Sequence, residues 1–118
     1  MTRGPTLPSV AYRWHRAAMA GKAPAITHEP ECGWFRRKLV KGGPYVPARI
    51  FLEQVMDPET GELLSDEVMR CEVAGKRRPP EDEWTWVADK PISREEYLEM
   101  VSGSFAGTAE NPEPKYHF

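Results

Sequence analysis

Alternating polar and hydrophobic positions predict a β-strand over residues 34–41. Phe35 and Leu39 fall on one face of this strand, and Arg36 and Lys38 fall on the other. Because the apolar face needs a partner, we expect Phe35 and Leu39 to be buried, and the two cations to face solvent.

A second strand is predicted over residues 45–55, after a turn at residues 42–44. Its inward positions are all apolar: Val46, Ala48, Ile50 and Leu52. Arg49 occupies an outward position, so we expect it to be exposed. Pro47 cannot donate a hydrogen bond to a neighbouring strand, which places this part of the strand at an edge or a bulge.

A turn signal precedes the third predicted strand. Asp57, Pro58 and Gly61 suit a type I turn that is closed by a bulge. Residues 67–74 then alternate, and their inward positions are Met69, Cys71 and Val73. Residues 74–76 supply a further turn, so the sheet extends over residues 34–78.

An N-terminal helix is predicted over residues 10–20. Ser9 is a candidate N-cap, and Gly21 is a candidate C′ residue. Val10 and Trp14 belong to one apolar stripe, which we expect to pack on the sheet because so short a helix is marginal alone. Residues 23–31 follow as a linker with two prolines.

The second flanking helix is predicted over residues 94–102. Ser93 and Glu96 have the spacing of a capping box, and Gly103 is placed to end the helix. Residues 80–88 are ambiguous, because Pro80 and the three acids after it suit a first helical turn, whereas the alternation of residues 84–87 suits a strand. We prefer the helix there.

Together these elements predict one α+β domain over residues 1–103, followed by an irregular tail over residues 104–118. The fold is a small, twisted antiparallel sheet of three or four strands, open or curled toward a small barrel, packed by the N-terminal and C-terminal helices. The predicted core is Trp14, Phe35, Leu39, Val46, Ile50, Leu52, Met69, Cys71, Val73, Trp84, Tyr97, Leu98 and Val101. Trp86 also has a spacing that suits the core.

Composition narrows the class of protein. The 118 residues carry a net charge of −2, which argues against a protein that coats DNA by charge alone. No apolar run approaches the length of a membrane-spanning helix, and no secretory signal is recognisable. Two cysteines are too few for a disulfide framework, so we expect a cytoplasmic protein with reduced thiols.

Positive charge is concentrated locally in this acidic chain. Residues 34–49 contain five basic and no acidic side chains, and residues 76–78 form a second basic cluster. Aromatic residues lie among the first group. The candidate binding residues are therefore Trp34, Arg36, Lys38, Lys41, Tyr45, Arg49, Lys76, Arg77 and Arg78.

Three interpretations of this basic region are open, in descending order of preference. The cations could pair with acids such as Glu53 and Glu72 on an ordinary solvated face. They could dock another protein, with Trp and Arg as anchors. They could also neutralise phosphates while Trp34 or Tyr45 stacks on bases. Convergence of the cations without interleaved carboxylates would favour nucleic acid.

Catalytic and metal-binding patterns are missing from the sequence. His28, Cys32 and Cys71 do not form the two close ligand pairs that zinc sites usually show. No nucleophile has a recognisable base beside it, and the glycines at 42–43 match no phosphate-binding motif. We therefore expect a protein that is not an enzyme and needs no cofactor or metal.

The runs CGWFRRKLVKGGPYVPARIF, DPETGEL, CEVAGKRRPPEDEWTW and KPISREEY occur in this order between residues 28 and 101. In this respect the chain resembles short uncharacterised proteins encoded by tailed phages and prophages of proteobacteria. The resemblance implies a phage-type accessory protein. With the small size and the lack of catalytic motifs, it leads us to expect a protein in the host cytoplasm that binds a host or phage protein. Inhibition of a bacterial defence complex, as by an anti-CRISPR protein, belongs to that class of function.

Overall fold

A four-stranded antiparallel sheet with helices against it forms the fold, in a computed structural model that describes residues 4–22 and 24–104. In chain order the elements are α1 (Pro8–Ala11), α2 (Arg13–Met19), β1 (Gly33–Lys38), β2 (Tyr45–Glu53), β3 (Val68–Val73), β4 (Lys76–Arg78), α3 (Pro80–Val87) and α4 (Arg94–Ser104). The strands are hydrogen-bonded in the order β1-β2-β3-β4. The predicted α+β class is confirmed, and the sheet is open rather than closed into a barrel.

The central strand β2 sets the register of the sheet. Phe35 of β1 lies opposite Ala48, and Ile50 lies opposite Cys71 of β3. Pro47 lies opposite Arg36 of β1. On the side of β3 the last pair is Ala48 with Val73, so Pro47 lies just beyond the paired region. There the Ala74 N–H donates to the Pro47 carbonyl at 2.9 Å. The missing N–H of Pro47 therefore interrupts no ladder, although its strand is central.

One face of the sheet carries the main core. Helix α3 packs against β1 and β3 and contributes Trp84 and Val87, and its C-cap residue Ala88 is buried beside them. The buried cluster consists of these three residues with Phe35, Val46, Ala48, Ile50, Cys71 and Val73. Trp14 and Met69 pack at its margin, half-buried. Leu39 was predicted in this core and is 49% exposed, because β1 ends at Lys38 before it.

The other face of the sheet is also covered, which the sequence did not reveal. Helix α4 packs against β2 and β1, and its Tyr97 is buried. Arg94 lies over the Trp34 ring, on the face opposite Phe35. As a result Phe51 is completely buried and Arg49 is 1% exposed. The prediction that Arg49 points to solvent is wrong, since its outward face lies under other residues.

The N-terminal helices pack beside the start of β1, whose free edge is hydrogen-bonded to residues 90–92. The Tyr12 ring stacks on Trp34 with centroids 4.7 Å apart, while Trp14 contacts Trp84 on the opposite face. His15 lies between them and hydrogen-bonds through Nε2 to the Ile92 carbonyl at 2.8 Å. A Cβ at residue 33 would come within 2.7 Å of the His15 ring, so this packing requires glycine there.

The predicted helix over residues 10–20 is interrupted. Tyr12 has φ −99° and ψ 16° and separates α1 from α2. Ser9 is not a cap, because α1 begins earlier, with Pro8 in its first turn. Val10 is 50% exposed and does not share a buried stripe with Trp14. Gly21 does adopt the predicted C′ conformation, with φ 75°.

The two later helices begin as the sequence indicates. Residues 80–87 are helical, which settles the ambiguity in favour of the helix. The Glu96 N–H donates to Ser93 Oγ at 3.0 Å, so Ser93 caps α4. Gly103 does not end α4, which continues to Ser104, because φ at this glycine is not positive.

The turn predicted at residues 57–62 is present, and Gly61 has φ 73°. The Gly61 N–H donates to the Asp57 carbonyl at 2.8 Å. The predicted irregular tail lies outside the described residues, apart from Ser104 at the end of α4. None of the helices in the described part of the chain has the length and apolar character needed to cross a membrane.

Candidate docking groove

The loop between β1 and β2 presents apolar side chains at the end of the sheet. Gly42 has φ 77°, and the Gly43 N–H donates to the Val40 carbonyl at 3.0 Å, which closes a tight turn. Leu39 is 49% exposed and Val40 is 63% exposed. The turn therefore holds two aliphatic side chains in solvent.

A groove of about 600 Å³ lies between this loop and the end of α3. Its lining residues, which we call the docking groove, are Arg37, Lys38, Leu39, Val40, Lys41, Tyr45, Trp86 and Lys90. Four of these residues are cationic and none is acidic. The groove thus combines apolar surface with positive charge.

Trp86 forms one wall of the docking groove and is 57% exposed. The prediction that it belongs to the core is wrong, because α3 turns Trp84 inward and Trp86 away from the sheet. The Arg37 guanidinium lies 4.8 Å from the centre of the Trp86 ring. Arg37 also donates through Nε to Glu83 Oε1 at 2.8 Å and through Nη1 to the Lys38 carbonyl. Arg37 is therefore fixed in place, and it supports one face of the indole.

Tyr45 also lines the docking groove, beside two further cations. The Arg36 guanidinium lies 4.5 Å from the centre of the Tyr45 ring, and Lys38 Nζ lies 4.7 Å from it. Within the described residues, Arg36, Lys38 and Lys41 have no carboxylate within 4 Å. Lys90 differs, because its Nζ lies 2.9 Å from Asp89 Oδ1. Arg36 and Lys38 at the end of β1, with Lys41 in the loop that follows, therefore form a group of cations that is not neutralised by carboxylates in the described part of the chain.

The remaining sequence candidates on β1 and β2 are enclosed. Arg49 donates through Nε to Glu72 Oε1 at 2.8 Å and stacks on Phe51. Trp34 is half-buried, with Tyr12 stacked on its ring and Arg94 nearby. Arg49 offers no free surface to a ligand, and the Trp34 ring is covered on the face that Tyr12 occupies.

The cations of β4 lie at the far edge of the sheet from β1 and are mostly paired. Arg77 lies 3.3 Å from Glu53 Oε2 and 3.8 Å from Glu72 Oε2. Arg78 lies 3.5 Å from Glu83 Oε2, while Lys76 is exposed. The structure therefore brings together only Arg36, Lys38, Lys41 and Tyr45 from the predicted set.

The docking groove contains residues that the sequence reasoning did not select. Arg37, Trp86 and Lys90 come from strand β1, from α3 and from the segment after α3. Their juxtaposition depends on the segment after α3 running beside β1, where the Arg36 N–H donates to the Lys90 carbonyl at 3.1 Å. The predicted helix over residues 80–88 already implies that Trp86 and Trp84 face different sides, because two residues turn a helix by about 200°.

The thiols are poorly placed for chemistry. Burial, together with the charges of Glu31 and Glu67, raises the pKa of Cys32 to about 12. Burial, with Glu83 and Glu72 adding to it, likewise raises the pKa of Cys71 to about 12. Among residues 4–22 and 24–104, no three His, Cys, Asp or Glu side chains are grouped as metal ligands.

No protein-family model, curated protein or solved structure matches this chain. A function has to be inferred from the residues and their arrangement.

Proposed function

We propose that this protein is a non-enzymatic accessory protein that binds another protein through the docking groove. The observation that carries the proposal is the exposure of Leu39, Val40 and Trp86 around one groove. Apolar and aromatic side chains that stand together in solvent mark interaction surfaces, and Trp, Tyr and Arg are the residues most often found as binding anchors.

The groove also has the rigidity that a docking surface benefits from. Arg37 is held by Glu83 and supports Trp86, so this wall is ordered before a partner arrives. Preorganised side chains lose less conformational entropy on binding. The surrounding Lys38, Lys41 and Lys90 provide a charged rim around the apolar centre, which is the usual composition of a protein interface.

Nucleic acid is less well supported as the ligand. Glu53 and Glu72 interleave with Arg49, Arg70 and Arg77, so the sheet face presents ion pairs rather than a basic track. Nucleic-acid affinity depends on the number of phosphates that cations neutralise. Among the predicted basic residues that the structure describes, Arg36, Lys38 and Lys41 lie together without carboxylates, whereas Lys76 lies at the far edge of the sheet. Three neighbouring cations are a small footprint for a strand of nucleic acid.

The biological setting that we propose is a phage or prophage protein acting in the host cytoplasm. Its support is the ordered set of sequence runs between residues 28 and 101 that resembles such proteins. A host or phage protein is then the partner. Inhibition of a defence complex, as by an anti-CRISPR protein, is one form that this function would take.

Affinity capture with matched variants tests the proposed binding. The variant Val40→Ser/Trp86→Ser removes two exposed apolar groups from the docking groove, and Val55→Ser/Leu64→Ser removes two at comparable exposure elsewhere. We expect the wild type and the control variant to capture a stoichiometric protein from proteobacterial lysate treated with nuclease. The groove variant should lose that protein while keeping its cooperative unfolding transition.

Two results would contradict the proposal. One is that the wild type captures no stoichiometric protein from lysates of a panel of proteobacteria. The other is that the groove variant, shown to be folded by circular dichroism, captures the same protein as strongly as the control variant.

A further inference from the structure

We infer that the docking groove takes a short acidic segment of the partner protein that carries a bulky apolar side chain. This inference rests on the proposed function and specifies the chemistry of the partner. Its basis is the juxtaposition of unneutralised lysines with exposed aliphatic and indole surface in one groove.

Charge complementarity selects an acidic segment. Lys38 and Lys41 line the groove, and neither has a carboxylate within 4 Å in the described part of the chain. Arg37 is neutralised by the nearly buried Glu83, and Lys90 by the exposed Asp89. The groove keeps a net positive charge in a chain whose overall charge is −2. Carboxylates of a partner would satisfy the two lysines, and acidic character would speed the encounter.

The apolar surface selects a bulky side chain between the carboxylates. Leu39 and Val40 form one side of the groove, and the exposed Trp86 ring forms another. The volume of about 600 Å³ falls within the range of sites that enclose ligands of small-molecule size. A leucine or phenylalanine side chain would bury its surface against these three residues, whereas a purely acidic segment would leave them in water.

The same residues disfavour a nucleic-acid strand. Bases bind to single-strand sites by stacking on aromatic faces. Here the Trp86 ring already has Arg37 over a face, and the Tyr45 ring has Arg36 and Lys38 close to it. Leu39 and Val40 provide aliphatic contact instead of a stacking platform. An acidic peptide uses both the lysines and the aliphatic surface, and a nucleic acid uses only the lysines.

Fluorescence anisotropy with labelled probes tests this chemistry on the full chain. The first probe is a short synthetic peptide in which Leu and Phe alternate with Asp and Glu. Its two matched controls replace the acids with Asn and Gln, or the Leu and Phe with Ser. A labelled oligothymidine serves as the nucleic-acid probe. We expect binding of the first peptide only, weakening as salt rises from about 0.05 to about 0.5 M because the charges are screened.

Variants of the protein test whether the peptide binds in the docking groove. Lys38→Gln/Lys41→Gln should weaken binding of the acidic apolar peptide roughly 3- to 10-fold, the effect expected of two exposed charge pairs. Val40→Ser/Trp86→Ser should weaken it by at least as much, since apolar contact is lost. Lys22→Gln and Leu64→Ser alter an exposed lysine and an exposed leucine that do not line the groove, and they should leave binding unchanged.

The outcomes separate this inference from the proposed function. Equal binding of the uncharged peptide would contradict the inference that the partner segment is acidic. Tighter binding of oligothymidine that the lysine variant abolishes would contradict it as well. The inference would also fail if Val40→Ser/Trp86→Ser lost a captured protein that the acidic apolar peptide did not displace. In that last case the groove would still bind a protein, and the proposed function would stand.

Discussion

Arg37 of β1 and Glu83 of α3 form a nearly buried ion pair, with Nε and Oε1 2.8 Å apart and side chains 11% and 5% exposed. Arg78 approaches the other oxygen of Glu83 at 3.5 Å. One carboxylate thus joins the first strand, the last strand and the helix that packs across them. Because Arg37 also supports Trp86, the pair couples the stability of the fold to the wall of the docking groove.

Truncating Glu83 should destabilise the protein strongly. Glu83→Ala leaves the guanidinium of Arg37 nearly buried without its partner, and breaking a buried pair in this way costs about 3–5 kcal/mol. We expect a loss near the lower end of this range, because Arg37 keeps its bond to the Lys38 carbonyl. Urea unfolding followed by circular dichroism measures the change.

An exposed pair provides the control for Glu83. Asp89→Ala removes the partner of Lys90, and Asp89 is 62% exposed in its side chain, so the cost should be under about 1 kcal/mol. The double variant Arg37→Met/Glu83→Leu should recover much of the stability lost in Glu83→Ala. A loss in Glu83→Ala no larger than that in Asp89→Ala would show that the ion pair does not organise the fold.

The cap of α4 provides a second prediction. Ser93→Ala removes the oxygen that accepts from the Glu96 N–H, and it should lower the free energy of unfolding by about 1 kcal/mol. Ser9→Ala alters a serine of α1 that makes no cap, so it should change stability by no more than about 0.5 kcal/mol. Thermal unfolding of the two variants side by side would reveal any reversal of this order.

His15 should make stability depend on pH. Burial lowers the pKa of His15 below 6.5, and backbone hydrogen bonds at Ile92 and Trp34 offset only part of this effect. The unfolded chain therefore takes up the proton first as pH falls, which favours unfolding. The contribution of neutral His15 is present above pH 6.5 and is lost as pH falls through the lowered pKa of the folded state.

The measurement for His15 is urea unfolding at intervals between about pH 7.5 and 5. The ring contacts of His15 are the uncharged rings of Trp34 and Phe35, so comparison with a His15 variant separates its titration from that of other groups such as Glu31, whose pKa burial raises. His15→Gln should be less stable than the wild type at pH 7.5, and its stability should fall less on acidification. Identical slopes in both proteins would rule out His15 as the group responsible.

The cysteines should be almost inert in the folded protein. Cys32 and Cys71 are each 1% exposed, and their pKa of about 12 leaves very little thiolate at pH 8. Ellman's reagent should therefore react slowly with the native protein and rapidly with both thiols in guanidinium chloride. Cys71→Ser should halve the signal of the unfolded protein. Fast reaction of a native thiol would contradict the burial described for these residues.

Local signals in the sequence were sufficient for most of the secondary structure. Ser93, Gly21 and Gly61 each occupy the position that their own chemistry favours, and the alternation around Ile50 and Cys71 gives the buried face correctly. Such signals depend on a few neighbouring residues. They can therefore be interpreted from the sequence even when its tertiary contacts are unknown.

The wrong predictions concern the burial of side chains, which depends on the elements that pack against each strand or helix. Alternation assigned Arg49 to a face of β2, but only the packing of α4 against this strand makes that face buried. Leu39 continued the apolar pattern of β1 beyond the point where the strand ends. The docking groove was only half predicted for the same reason, because Trp86 meets the β1–β2 loop through tertiary packing alone.

Strand β4 has a consequence for how concentrated solutions of this protein should behave. It forms an outer edge of the sheet, is three residues long and consists of Lys76, Arg77 and Arg78. A second molecule that approached this edge to extend the sheet would meet three cationic side chains, two of them already paired with carboxylates, and few backbone groups to pair with. This edge therefore disfavours the addition of strands from other molecules, and we expect the open sheet not to promote fibril formation.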